Sequence, residues 1–162
     1  GFLPVYADDA FGLSGSAIGV LVMLGVSIAG VIHIPMGMLA DRRDKRTMVV
    51  IGGVIVLAAM ILMALAGGFA DLFSANVLFG IGGGIAMPAL MALAVRQGHR
   101  IEAMGSVMAL ITAAHSLGML TGSLVAGIIM DLTNLQYAFM MGTLIMAAGT
   151  AQFYLGTRSL GR

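Results

Sequence analysis

Charged residues divide the chain into five long apolar runs. Asp, Glu, Lys and Arg are absent from 10–40, 47–70, 72–95, 103–130 and 132–157, runs of 31, 24, 24, 28 and 26 residues. About 20 apolar residues suffice for a helix to cross ~30 Å of hydrocarbon, so each run can span once with some tilt. None alternates with the period of two that marks a barrel strand. The pattern predicts transmembrane helices near 14–39, 47–68, 72–95, 103–129 and 134–157. Residues 1–7 read as the outer end of a preceding helix, stopped by Leu3-Pro4. The expectation is an all-α, polytopic bundle in a single transmembrane domain over 1–162: five complete helices plus the end of a sixth.

Composition agrees and closes off other classes. The chain is 60% hydrophobic and 9% charged, with mean hydropathy +1.06, whereas soluble domains carry about 25% charge. A soluble enzyme, a nucleic-acid binder and a disordered tail are excluded. Zero Cys removes disulfide frameworks, thiolate metal sites and thiol catalysis together.

The arrangement of the charges matters more than their sum. All eight cations (Arg42, Arg43, Lys45, Arg46, Arg96, Arg100, Arg158 and Arg162) follow the first, third and fifth predicted helices. The opposite side holds Asp8, Asp9, Asp71 and Asp131 and no cation. The positive-inside rule makes the Arg-rich side cytoplasmic, with the N-terminus out and the C-terminus in. Helix dipoles alone would also call for cations at the ends of helices two and four, yet those finish at Gly67-Gly68 and Met130-Asp131. Ser14 or Ser16, Asp71, Glu102 and Thr133 or Asn134 stand where helix N-termini favour oxygen acceptors or negative charge. Tyr6, Phe11, Phe69, Phe73 and Tyr137 form an outer aromatic belt, and Phe153 and Tyr154 an inner one.

The most specific local pattern is Gly37-Met-Leu-Ala-Asp41-Arg42-Arg43-Asp44-Lys45-Arg46. It resembles the signature loop of the major facilitator superfamily, matching at Gly37, Asp41, Arg42 and Arg46. Asp44 stands where that family has Gly, and Lys45-Arg46 falls one position early for its paired cations. Further likenesses follow in family order. Gly80-Ile-Gly-Gly-Gly84-Ile-Ala-Met-Pro88-Ala looks like the glycine-rich helix of each six-helix half. Gly118-Met-Leu-Thr-Gly122-Ser123-Leu-Val-Ala126-Gly127 is similar to the antiporter-associated motif, with Ser123 replacing its Pro and Ala126 a Gly. Asp131 through Tyr137-Ala-Phe139 looks like the short outer loop before the last helix. The resemblance implies half of a twelve-helix fold. The altered signature loop, Asn76 where the first half often has Arg, and an Arg-ended tail point to the C-terminal half. On that reading residues 1–7 end the seventh helix, and the missing N-terminal half is a partner.

Independently of family, Gly15/Gly19, Gly80/Gly84 and Gly118/Gly122 have the small-xxx-small spacing that lets helices approach closely in lipid. The 15 Met residues read as flexible packing and a forgiving wall for apolar solutes. No ionised side chain lies deep in any span, so no carboxylate proton relay is evident. His115, near the middle of the fourth span with Thr112, Gly118, Met119 and Gly122 on its face, is the foremost substrate-pathway candidate. A neutral His satisfied by a backbone carbonyl or a hydroxyl on the next helix is the plain alternative. Ser116, Asn76 and Ser27 are further pathway candidates, although such a residue is more often an interhelical hydrogen bond. His33, beside Pro35, reads as structural.

Gly12-Leu-Ser14-Gly15 with Ala114-His115 resembles the Ser/His dyad of rhomboid proteases, but Ser14 sits at a helix rim and His115 about 20 Å deeper, so no catalytic residue is expected. Neither a metal nor a cofactor is called for. The resemblance implies secondary active transport by alternating access, with Gly37, Asp41, Arg42 and Arg46 in a cytoplasmic gating loop. The neutral, apolar lining suits an uncharged or amphipathic solute, and the resemblance implies proton-coupled efflux of drug-like or amphipathic compounds from a bacterial cytoplasmic (inner) membrane. Sugar or metabolite uptake by the same fold is an alternative, and a membrane sensor or scaffold built on it another. The partners implied are a small-molecule substrate, protons and the lipid bilayer, and no nucleic acid.

Overall fold

The structure, a computed structural model, describes residues 3–132 and 135–157. Within them the chain forms α1 (Leu3–Phe11), α2 (Gly15–Arg42), α3 (Lys45–Ala64), α4 (Phe69–Arg100), α5 (Met104–Leu132) and α6 (Leu135–Gly156). Five of these are long and apolar enough to cross a membrane, and the described residues contain no strand. Thr133, Asn134, Arg158 and Arg162 lie outside the described residues.

Several boundaries move from their expected places. Leu3-Pro4 does not stop the first helix: both residues lie within α1. α1 then runs on through Asp8-Asp9 to Phe11. Gly12 ends it: its φ of +58° is open to glycine at little cost. The N–H groups of Gly12 and Leu13 close on the carbonyls of Asp8 and Ala7 at 2.7 and 3.2 Å. α4 extends to Arg100, well past the expected 95. Its 32 residues measure about 48 Å at 1.5 Å per residue. A charge-free run marks the hydrocarbon section, and the helix continues beyond it into polar surroundings.

Of the expected caps, Ser14 accepts from the N–H of Ala17 at 3.4 Å and starts α2. Asp71 lies inside the first turn of α4 and accepts from the Gly67 N–H at 2.8 Å, while Gly68 holds the cap position. Glu102 takes a left-handed φ of 52° in the turn before α5, so it reverses the chain and does not cap the helix. Asp44, which stands at a mismatch to the signature loop, is the N-cap of α3: its carboxylate accepts from the N–H groups of Arg46 and Thr47.

α4 is the central helix, packed between α2 and α3. Its glycines explain how. Gly80 and Gly84 are one turn apart and share a face, while Gly82 lies about 200° round from Gly80. A Cβ on Gly80 would lie 2.7 Å from the Gly25 carbonyl oxygen of α2, and one on Gly84 2.8 Å from Ile32 Cβ. On the other side, a Cβ on Gly82 would lie 2.8 Å from both the Gly52 carbonyl oxygen and the Val56 nitrogen of α3. Backbones therefore meet directly on both flanks of α4, the close approach that substitutes for hydrophobic drive inside lipid.

Two buried clusters close the ends. Tyr6, Ala7, Leu21 and Leu72 gather at the acidic end, with Phe139 against them, and Ala40, Met48 and Ala89 gather at the Arg-rich end. Tyr6 meets Phe11 edge-on at 5.4 Å and Phe139 at 5.1 Å between ring centroids.

α6 packs along α3 in a regular antiparallel seam. Arg46, Gly53 and Met60 recur every seven residues on α3 and meet Thr157, just past the end of α6, and Thr150 and Gly142 on α6. Such a heptad spacing keeps one narrow stripe facing the partner helix. α5 is held only by α4 and α6, and none of its described residues is fully buried.

Candidate functional site

Thr112, His115 and Ser116 stand at i, i+3 and i+4 on α5, and all three are exposed. His115 lies 11 residues from Met104 and 17 from Leu132, about 17 and 25 Å along the axis, which is mid-span. The Thr112 hydroxyl donates to the Met108 carbonyl at 3.0 Å and so is satisfied within its own helix. Ser27 is exposed at a comparable depth on α2. α2 and α5 each pack on α4, so the structure groups the α5 trio and sets Ser27 on a different helix.

Asn76 does not join this set. It is buried, its amide donates to the Leu72 carbonyl one turn back at 3.0 Å, and its Oδ1 faces Gly25 of α2. The α2–α4 contact takes up the side chain, leaving no group to present to a passing solute.

The glycines expected to pack divide in two. Gly80 and Gly84 touch α2 as described, whereas Gly15 and Gly19 have nothing within 4 Å of where a Cβ would stand, and neither do Gly118 and Gly122. The last two line an apolar cleft of about 490 Å³ with Ser123 of α5, Phe139 and Gly142 of α6, and Met60 of α3. Spacing alone could not separate these pairs, because it marks a smooth face and does not name what lies opposite.

The loop residues also differ in role. Gly37 is half-buried with open space beside it. Asp41 and Arg42 are exposed, and neither side chain has a hydrogen bond or ion pair with another described residue. Arg46 is tied down: its Nε donates to Thr157 Oγ1 at 2.9 Å, one terminal nitrogen donates to the Tyr154 carbonyl at 2.6 Å, and its guanidinium lies 4.7 Å from the Tyr154 ring centroid. Between them Asp44 accepts from the Thr47 hydroxyl at 2.5 Å. That bond, with the backbone N–H bonds and the nearby Arg46 charge, holds its carboxyl below the ordinary carboxylate value.

Ser14 is spent as the cap of α2, with its hydroxyl 3.0 Å from that of Ser16, and His115 sits in the middle of α5. No group of His, Asp or Glu placed to hold a metal occurs among the described residues.

Residues 1–160 fit the sequence profile of the Major Facilitator Superfamily. The chain belongs to this family. No curated protein and no solved structure matches it. As a member of the major facilitator superfamily it is an integral membrane protein of transporter type, and its all-helical fold accords with a part of the transporter fold.

Proposed function

We propose that the chain is the C-terminal half of a major facilitator transporter that moves a small uncharged or amphipathic solute by alternating access. One observation carries the reading: Thr112, His115 and Ser116 share one mid-span face of α5, on a helix whose middle is exposed all round. A polar group at that depth is costly against hydrocarbon and belongs on a bundle interior or a water-filled path. Alternating access between two halves around a midplane site supplies such a path. His115 would contact solute or carry the coupling proton, Thr112 and Ser116 would flank it, and Ser27 would line the path from α2. Asp41 and Arg42 would meet the other half at the cytoplasmic side, with Gly37 giving room for that approach.

Proton-coupled efflux of drug-like compounds from a bacterial inner membrane is the specific activity proposed, with α2 starting on the outer side. The apolar, Met-rich lining and the similarity of 118–127 to the antiporter-associated motif support it. The test uses the complete transporter in inside-out vesicles with an imposed proton gradient and a fluorescent amphipathic amine. Uptake into the vesicles that falls at least tenfold in His115→Ala is expected. Normal flux in both His115→Ala and Asp41→Ala would remove the site assignment, and flux only in the opposite direction would assign uptake.

A further inference from the structure

The last four carbonyls of an α-helix have no partner inside it, and α6 carries no basic residue in its last turn. Its end is nevertheless well served. The Phe153 carbonyl accepts from the Thr157 N–H at 3.0 Å and from the Thr157 hydroxyl at 2.6 Å. The Tyr154 carbonyl accepts from Arg46, whose Nε also reaches Thr157 and whose plane covers the Tyr154 ring.

Arg46 is badly placed for its own helix. It lies in the first turn of α3, where the positive end of the dipole disfavours a cation. Asp44 serves that end, as the cap already described. The guanidinium instead meets the negative end of α6, where a cation is favoured. Its flat, forked donor set suits two acceptors and a ring at once, which an ammonium cannot match.

We propose that Arg46 is a positioning residue: the C-terminal cap of α6 supplied by α3, fastening the two helices so that they move as one body. The signature-like loop is thereby anchored at its last residue, and Asp41, Arg42 and Arg43 are the part left free. The same side chain then cannot serve as a gate that opens and closes against the other half. This inference does not depend on the transported solute or on the direction of transport.

The test combines two measurements on the whole protein in lipid nanodiscs. In Arg46→Ala, amide hydrogen exchange over 153–157 should quicken about tenfold, with α4 amides around Gly82 unchanged. Arg46→Lys and Thr157→Val, each keeping part of the contact, should fall between, at about threefold, and they serve if the alanine variant does not fold. The second measurement uses a cysteine pair in this otherwise Cys-free chain. A Cβ on Gly53 would stand 3.6 Å from Thr150 Cβ, within disulfide range. Gly53→Cys with Thr150→Cys should oxidise readily, and about threefold more slowly when Arg46→Ala is added. Unchanged exchange and cross-linking in Arg46→Ala would overturn the proposal. So would a lysine variant indistinguishable from the parent, or an equal rise in exchange across α4.

Discussion

Gly82 and Gly83 are neighbours with opposite surroundings, and that contrast tests the account of how α4 is held. A methyl group on Gly82 would stand 2.8 Å from the Gly52 carbonyl oxygen, the Val56 nitrogen and the Val56 Cγ2 of α3. Two of those three are backbone atoms and cannot turn aside, so α3 must move away by roughly 0.6–1 Å to restore ordinary contact. A gap of that size forfeits a quarter to a half of each dispersion contact along the seam. Overpacking of this kind costs about 1–3 kcal/mol. Gly83 has nothing within 4 Å, and alanine there removes only glycine's helix penalty, worth about 0.5–1 kcal/mol. Gly82→Ala should therefore destabilise and Gly83→Ala should be neutral or mildly stabilising. Reversible unfolding in mixed micelles by denaturing detergent, followed by far-UV circular dichroism, measures both. Two variants that shift the midpoint equally, or a harmless Gly82→Ala, would refute direct backbone packing between α3 and α4.

Three other outcomes follow from the site. Asp44→Ala should cost about 1 kcal/mol through loss of the α3 cap, read in the same unfolding assay. Because the folded carboxyl titrates below its ordinary value of 3.8, its contribution is complete above that pH. It is lost as the pH falls through the lowered folded value; Asp44→Asn should abolish that dependence and keep much of the cap. Gly122→Ala should leave stability within about 0.5 kcal/mol of the parent, since the added methyl enters the α5–α6 cleft; a loss near that of Gly82→Ala would show the cleft to be closed. His115→Ala should reduce vesicle flux at least tenfold with folding intact, as judged by an unchanged unfolding midpoint.

The span count and the placement of charge at alternate turns were legible because both rest on one-dimensional facts. Lipid admits few polar residues, and each turn must return the chain to one surface or the other. The helix-packing role of Gly80 and Gly84 was legible only in part. Their spacing is identical to that of Gly118 and Gly122, and what lies across from each pair depends on the arrangement of helices in three dimensions. Asn76 shows the same limit, since a polar residue on a span reads alike whether it faces a path or the Gly25 backbone. Asp44 was hidden by its role as a mismatch to the loop pattern, although an Asp two and three residues ahead of Arg46 and Thr47 is itself a cap signal. The tie from Arg46 to α6 joins residues 111 apart, and no local pattern announces it.

The three meeting points of α3 and α6 sit seven residues apart on α3. The next register at which they could meet again is about 10 Å along the axis. A one-turn slide of roughly 5.4 Å would bring none of them into alignment. Sliding is thus closed to this pair as a way of changing shape. Bending together is the deformation the two helices retain.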